Sequence, residues 1–352
     1  MKRFIFIIFL FIITGLIYIF FANKTSIPSI PTSKPFHKLL YVGSIGTGKE
    51  KVEKGISSFK QNYQKLDSVS LAWYNLDSDN KISLDSSVSN ETEADTIAFA
   101  KQNGKKVVFG ISDHGEAEKA DDILNDEENQ KDQIANIISI IDEKGYDGMI
   151  VDYEDMQNEQ EEDFTRYMRR LSEEIHSKGK TLGISIPVET KGKVSHGINI
   201  VDVSKVVDSM HMNVYEQHGE DTVPGPIASI EWTNTIIKNA IDQGVEPNKV
   251  TLGTAHSGHD WVIKPEEEFF KDMATDETLE LLQRTNAELQ WDEVKQANFF
   301  TYKNDEDREH MVWLEDARSF QRKIDLAKSY ELLGIFLWYL GGEDPKIWKI
   351  LL

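Results

Sequence analysis

The stretch YDGMIVDYE at residues 146–154 decides the fold of this chain. Its apolar run predicts a buried strand, and because side chains alternate along a strand, Ile150, Asp152 and Glu154 share one face. An amphipathic helix is predicted directly after it, since apolar residues recur at steps of four, three and four. The apolar stripe consists of Phe164, Met168, Leu171 and Ile175. Lys178-Gly179 then supplies the helix stop, which completes one strand–helix unit.

The same strand–helix alternation runs along the whole chain. The eight strand candidates are 39–45, 68–76, 105–112, 148–154, 181–188, 207–215, 249–256 and 333–340. Alternation of this kind indicates a parallel sheet covered by helices, and eight units predict an α/β fold of the TIM type, a closed (β/α)8 barrel. About 75 residues separate the last two strands. We therefore expect a small α+β insertion there, at about 258–312, with short strands such as ANFFTY and HMVWLE.

The N-terminal end predicts export from the cytoplasm. Lys2 and Arg3 precede residues 4–22, an uncharged apolar run of 19 residues. A helix of that length spans a hydrocarbon core of about 30 Å, and flanking basic residues keep its start in the cytoplasm. We expect residues 1–22 to be a single-pass membrane anchor, residues 23–36 a Ser/Thr/Pro-rich stalk, and residues 37–352 an extracytoplasmic barrel. The alternative is a cleaved signal peptide and a secreted barrel.

Composition excludes several classes of function. Of 352 residues, 39% are hydrophobic, which suffices for a large core, and the net charge of -21 is spread along the chain. Nucleic-acid binding is not expected, because phosphate recognition needs a basic surface. The absence of cysteine excludes disulfides and thiolate metal sites. His256 and His259 lie three positions apart, but a metal site needs further ligands, so we expect no metal. We also expect no cofactor and a monomer.

Two carboxylates stand where the strand at 148–154 ends. Asp152 and Glu154 would lie about 6–7 Å apart at the backbone, at the end of a strand where TIM barrels build active sites. In such a pair one carboxyl group tends to have a raised pKa while the other stays ionised, and glycoside hydrolysis needs this combination. The alternative is that both residues cap the next helix or form surface ion pairs.

The stretch resembles the signature of glycoside hydrolase family 18, the chitinase-like barrels, which reads Asp-Gly-x-Asp-x-Asp-x-Glu. Asp147, Gly148, Asp152 and Glu154 match it, and Ile150 replaces the middle Asp. The resemblance covers about residues 38–352 and is strongest to bacterial spore-germination and cortex-lytic N-acetylglucosaminidases. Further similar segments are 223–228, 252–254, 260–261, 312–319 and 334–341.

This resemblance implies a retaining, substrate-assisted hydrolysis. Glu154 would be the acid and base, Asp152 would orient the substrate's 2-acetamido group, and the Tyr215 hydroxyl would bind its carbonyl. The implied substrate is a glycan with β-linked N-acetylglucosamine, such as peptidoglycan or spore cortex. The alternative function is a non-catalytic, lectin-like barrel in cell-wall remodelling, and the alternative for Tyr215 is a place in the core.

The resemblance also implies residues that bind sugar. Trp338 matches the family's tryptophan beneath the cleaved sugar, and Trp73 is a second possible platform, with core packing as the alternative for both. Asn213 and Glu216 stand where the family has Met and Asp, and both are expected to contact the substrate. Ile150 removes a carboxyl group that would share a proton with Asp152, so a lower rate or a shifted pH profile is expected.

Overall fold

The computed structural model describes residues 38–76, 81–113, 123–154, 160–189, 191–192, 197–264 and 269–351. Its strands are β1 (Leu40–Ile45), β2 (Ser68–Leu76), β3 (Ile82–Leu84), β4 (Lys106–Ser112), β5 (Gly148–Asp152), β6 (Thr181–Pro187), β7 (Ser209–Asn213), β8 (Val250–Ala255), β9 (Ser257–Lys264), β10 (Phe270–Ala274), β11 (Gln290–Asp292), β12 (Ala297–Lys303), β13 (Glu309–Leu314) and β14 (Gly334–Trp338). Its α-helices are α1 (Lys49–Asn62), α2 (Asn90–Gln102), α3 (Glu127–Lys144), α4 (Glu161–Ser177), α5 (Ile200–Ser204), α6 (Ile230–Gln243), α7 (Thr275–Thr285) and α8 (Ala317–Ser329).

Eight parallel strands close into a barrel. They follow the order β1, β2, β4, β5, β6, β7, β8 and β14, and β14 pairs again with β1. The short β3 adds to β2 in antiparallel orientation. The predicted TIM barrel is thereby confirmed, and each barrel strand lies within two residues of its predicted bounds at either end.

Helix α4 shows why the sequence builds these units. The four residues of its predicted stripe are fully buried: Phe164, Met168, Leu171 and Ile175 each have 0% exposure. Three acidic residues occupy the first turn, where negative charge stabilises the positive end of the helix dipole. The helix ends before Lys178, and Gly179 turns the chain with a φ of 67°.

The start of β5 is held tightly between its two neighbours. A Cβ at Gly148 would lie 2.2 Å from the Thr181 carbonyl oxygen of β6, so no larger residue fits there. On the other side, Asp147 accepts the backbone N–H of Val107, with Oδ2 and N 2.9 Å apart. Asp147 and Gly148 therefore set the position of the strand that carries the two acids, and they do so at its far end.

An antiparallel sheet occupies the chain between β8 and β14. Its five strands lie in the order β10, β9, β13, β12 and β11, and α7 packs on it. Met273, Leu281 and Phe300 contribute to its own small core. The sheet runs from residue 257 to residue 314, close to the predicted insertion at 258–312.

The predicted anchor and stalk, residues 1–36, lie outside the described residues. Among the residues that the structure describes, no helix combines the length and hydrophobicity needed to cross a membrane.

Candidate active site

A pocket opens at the carboxyl ends of the barrel strands. Seven of the eight barrel strands, or the residues just after them, contribute to its walls. The lining residues are Ser44, Ser70, Ala72, Gly110, Ile150, Asp152, Glu154, Ser185, Asn213, Tyr215, Phe336 and Trp338. Both predicted acids are among them, so the predicted sharing of one strand face brings Asp152 and Glu154 to one cavity.

The floor of the pocket is apolar. Ile150 is buried and clusters with Val42 and Phe336, and Val108 and Trp338 pack against this group. These side chains point inward from four different barrel strands, as alternation along each strand requires. The two carboxyl groups therefore lie above an apolar floor, and apolar surroundings disfavour the charged form of a carboxyl group.

Asp152 lies at the end of β5 and is half-buried. Its pKa is raised to about 6, chiefly by burial; a hydrogen bond from Ser185 lowers it in part, and the charges of Asp113 and Glu216 add to the rise. Its Oδ1 is buried and has no hydrogen-bond partner among the described residues. Asp152 is therefore poised to exchange a proton near neutral pH and has one oxygen available to a ligand.

Glu154 follows β5 and its side chain is exposed at the pocket. Its backbone N–H donates to Oδ1 of Asp113, with 3.1 Å between N and O. Asp113 comes directly after β4 and is fully buried. The neighbouring strand thus holds the backbone at the position from which the Glu154 carboxyl group reaches into the pocket.

Tyr215 lies two residues after β7 and is half-buried in the pocket wall. Burial raises the pKa of its hydroxyl well above the usual value, and the charges of Asp152, Glu216 and Glu154 raise it further. The hydroxyl therefore keeps its proton and is a hydrogen-bond donor. Since the two pocket carboxylates act on this one group, all three lie close together.

Two of the four residues predicted to contact sugar line the pocket. Trp338 is half-buried and lines the pocket together with Asn213, which is buried. Glu216 as a whole residue is exposed and is absent from the pocket lining. Its carboxyl group is nevertheless partly shielded from water, which raises its pKa, and the charge of His259 lowers that pKa in part. Its contact with a substrate stays a prediction.

Trp73 does not form a sugar platform. Its side chain has 0% exposure, its indole N–H donates to the Gly46 carbonyl 3.2 Å away, and it is not part of the pocket lining. On β2 the small residues Ser70 and Ala72 face the pocket, and Trp73 therefore points to the helices on the opposite face. The prediction was wrong for Trp73, and its alternative, core packing, is the one observed.

Two polar residues near Asp152 were missed in the sequence. Asp113 acts on Asp152 from β4, and Ser185 does so from β6. Both could have been found by asking which polar residues stand near the end of each predicted strand, because those ends meet at the pocket.

Comparison with known proteins agrees with this geometry. The sequence profile described as "Glycosyl hydrolases family 18" matches residues 38–343. The chain belongs to this family. It is 28% identical to a putative sporulation-specific glycosylase, YdhD, of Bacillus subtilis over 65% of its own length. It is also 26% identical to the cortical fragment-lytic enzyme of B. subtilis over 65% of its length.

The relatives are longer than the shared region. The alignments span 55% of YdhD and 54% of the cortical fragment-lytic enzyme. Among solved structures, the Bacillus cereus spore cortex-lytic enzyme SleL superposes with a TM-score of 0.80, over 91% of this chain and 75% of SleL. At 22% identity this likeness shows the shared fold.

Proposed function

We propose that the chain is a glycosidase that cuts β-linked N-acetylglucosamine glycans with retention of configuration. The observation that carries this proposal is the convergence of Asp152, Glu154, Tyr215 and Trp338 on one pocket at the carboxyl ends of the barrel strands. Family 18 membership supports the same reaction.

The first step cleaves the glycosidic bond. Glu154 donates its proton to the glycosidic oxygen, and the 2-acetamido carbonyl oxygen of the same sugar attacks the anomeric carbon as the leaving group departs. Because this nucleophile is already part of the bound sugar, no second reactant has to be ordered. The Tyr215 hydroxyl binds the acetamido carbonyl oxygen, and ionised Asp152 stabilises the positive charge of the oxazolinium product.

The second step restores the enzyme. Glu154, now a carboxylate, takes a proton from water as the water oxygen bonds to the anomeric carbon and the carbon–oxygen bond of the oxazolinium ring breaks. Two inversions at one carbon give net retention. Trp338 offers its indole face to the apolar face of the reacting sugar ring and excludes bulk water.

The charge of the pocket supports an uncharged N-acetylated sugar at the cleavage point. No Lys or Arg is present among the described residues that line it, whereas two carboxylates are. Such a site disfavours an anionic group at the reacting sugar and stabilises a cationic intermediate. Together with the similarity to sporulation and cortex-lytic proteins, this supports peptidoglycan or spore cortex as the substrate.

The place of action is also a proposal. The uncharged run at residues 4–22 after Lys2 and Arg3 supports a membrane anchor with the barrel outside the cytoplasm. A monomer at that surface would meet the cell wall as its nearest glycan. Partition of the full chain into the membrane fraction, with protease reaching the barrel from outside in intact cells, tests this placement.

The function is tested by turnover. Purified peptidoglycan, cortex fragments and chitin oligomers are incubated with the chain, and new reducing ends are counted. We expect release by the wild type and a loss of at least about 1,000-fold in Glu154→Gln, which keeps the side-chain shape but cannot donate a carboxyl proton. Glu173→Gln, an exposed glutamate on α4, is the matched control and should retain full turnover.

The outcomes separate the two functions. Release by wild type and control but not by Glu154→Gln supports the glycosidase and identifies its substrate. Binding of oligosaccharide without release from any substrate, equal in wild type and Glu154→Gln, would replace the glycosidase with the lectin-like alternative.

A further inference from the structure

Asp113 is a buried acid that the reaction described above does not use. It has 0% exposure and directly follows β4, at the level where Ser112 registers with Asp152 of β5. Its backbone N–H points to the Asp152 carbonyl oxygen, 3.4 Å away, and its Oδ1 accepts the Glu154 N–H at 3.1 Å. One residue directly after β4 thus contacts the backbone of both pocket acids.

The position of these contacts matters because β5 ends at Asp152. Glu154 lies two residues beyond the end of β5, where the regular hydrogen bonds between strands no longer fix the position of the backbone. A backbone N–H such as that of Glu154 is bound more strongly by a carboxylate than by a neutral acceptor. Asp113 therefore extends the hold of β4 on β5 by two residues, up to the residue that carries the acid.

Asp113 also brings a negative charge close to Asp152. At position 150, which shares the pocket face of β5, the side chain is the apolar Ile150, packed against Val42 and Phe336. Among the residues that the structure describes, the ionisable groups that face Asp152 are Asp113 after β4 and Tyr215 and Glu216 after β7, with Glu154 following β5. Of these, Asp113 is the fully buried carboxyl group, and its charge acts through the least water.

We propose that Asp113 is a positioning residue, which fixes the backbone under Glu154 and supplies beside Asp152 the negative charge that Ile150 cannot supply. The proposal rests on the function proposed above, because both acids it acts on are assigned there. Two substitutions separate its two effects. Asp113→Asn keeps an oxygen for the Glu154 N–H and removes the charge, whereas Asp113→Ala removes both.

Each substitution has its own expected readout on the glycan that the wild type cleaves. In Asp113→Asn the acidic limb of the kcat profile, which reports ionisation of Asp152, moves to lower pH by about one unit, because a neighbouring negative charge is gone. In Asp113→Ala we expect kcat to be 10- to 100-fold lower than in Asp113→Asn, with KM within about twofold. The reason is that displacement of the Glu154 carboxyl group slows the chemical step more than it weakens substrate binding.

Asp147→Asn is the matched control. Asp147 also accepts a backbone N–H across β4 and β5, that of Val107 at 2.9 Å, but at the opposite end of the strands. It should lower the melting temperature and leave the acidic limb in place. An equal shift of the limb in Asp147→Asn would show general loosening of the strand pair and would overturn the proposal.

Failure of this proposal and failure of the proposed function are distinguishable. If the wild type cleaves no glycan, the function fails, and the titration of Asp152 is followed by carboxyl 13C NMR, with Asp152→Asn identifying its signal. A midpoint that moves to lower pH in Asp113→Asn supports the charge role. A midpoint that stays in place overturns it, and an unchanged kcat in Asp113→Ala overturns the positioning role.

Discussion

Asp152 should make the protein less stable at neutral pH than an asparagine would. Its pKa lies at about 6 in the folded protein, raised from 3.8 chiefly by burial. A raised carboxyl pKa means that the folded state binds this proton more tightly than the unfolded chain does. The contribution of Asp152 to stability is therefore neutral below about pH 4 and falls as pH rises through about 6.

The size of the effect follows from that shift. Between 3.8 and about 6 the pKa changes by about two units, and each unit is worth about 1.4 kcal/mol, so ionised Asp152 lowers the free energy of unfolding by about 3 kcal/mol. The uncharged side chain in Asp152→Asn would carry no such penalty, and its amide oxygen can still accept from Ser185. For a barrel of this size we expect Asp152→Asn to raise the melting temperature by about 5 °C at pH 8.

Thermal melts of wild type and Asp152→Asn at pH 4.5, 6 and 8 measure this difference. Because the pKa of Asp152 is 3.8 in the unfolded chain and about 6 in the folded protein, the difference should be about a third of its full size at pH 4.5, nearly full at pH 6 and full at pH 8, while glycan turnover is lost at every pH. Asp132→Asn, at an exposed site on α3, removes a charge without burial and should shift no melt. A difference that is the same at all three pH values, or an Asp152→Asn protein that melts lower at pH 8, would refute the reasoning.

Two further substitutions test the strand geometry and the pocket. Gly148→Ala places a Cβ 2.2 Å from the Thr181 carbonyl, so the free energy of unfolding should fall by about 1–3 kcal/mol or more in urea titrations. Gly219→Ala, where a Cβ meets nothing within 4 Å, should not change it, and equal effects at both sites would contradict the packing argument. Tyr215→Phe removes the hydroxyl beside the carboxylates and should lower kcat by about 100-fold with an unchanged melting temperature. A wild-type kcat in that variant would assign Tyr215 to packing alone.

The barrel could be predicted because each unit repeats the same two periods. Apolar runs marked the strands, and the stripe of α4 marked a helix whose four apolar residues are all buried. Strand ends were overestimated where the apolar run continues past the hydrogen-bonded ladder, as at Tyr153 beyond β5. Ladder ends depend on the neighbouring strand, which one segment does not contain.

The two tryptophans show what the sequence could not decide. Trp338 and Trp73 both lie on a barrel strand, but Trp338 lines the pocket and Trp73 faces away from it. In a parallel sheet covered on both faces, apolar residues occupy both sides of each strand, so the pattern does not say which side is interior. Only the register around the closed barrel orients them.

The same limit changes how the substitution at Ile150 should be interpreted. When only β5 is compared with the family signature, the chain lacks the carboxyl group at position 150, and reduced activity is expected. Across the sheet, Ser112 registers with Asp152, and the next residue, Asp113, brings a buried carboxylate to the same acid from β4. Electrostatic effects depend on distance and burial and not on which strand bears the charge. The replacement of one residue in a signature that covers a single strand therefore does not by itself indicate lost catalysis. The protonation of Asp152 and Glu154 depends on all the charges around them, including those from neighbouring strands.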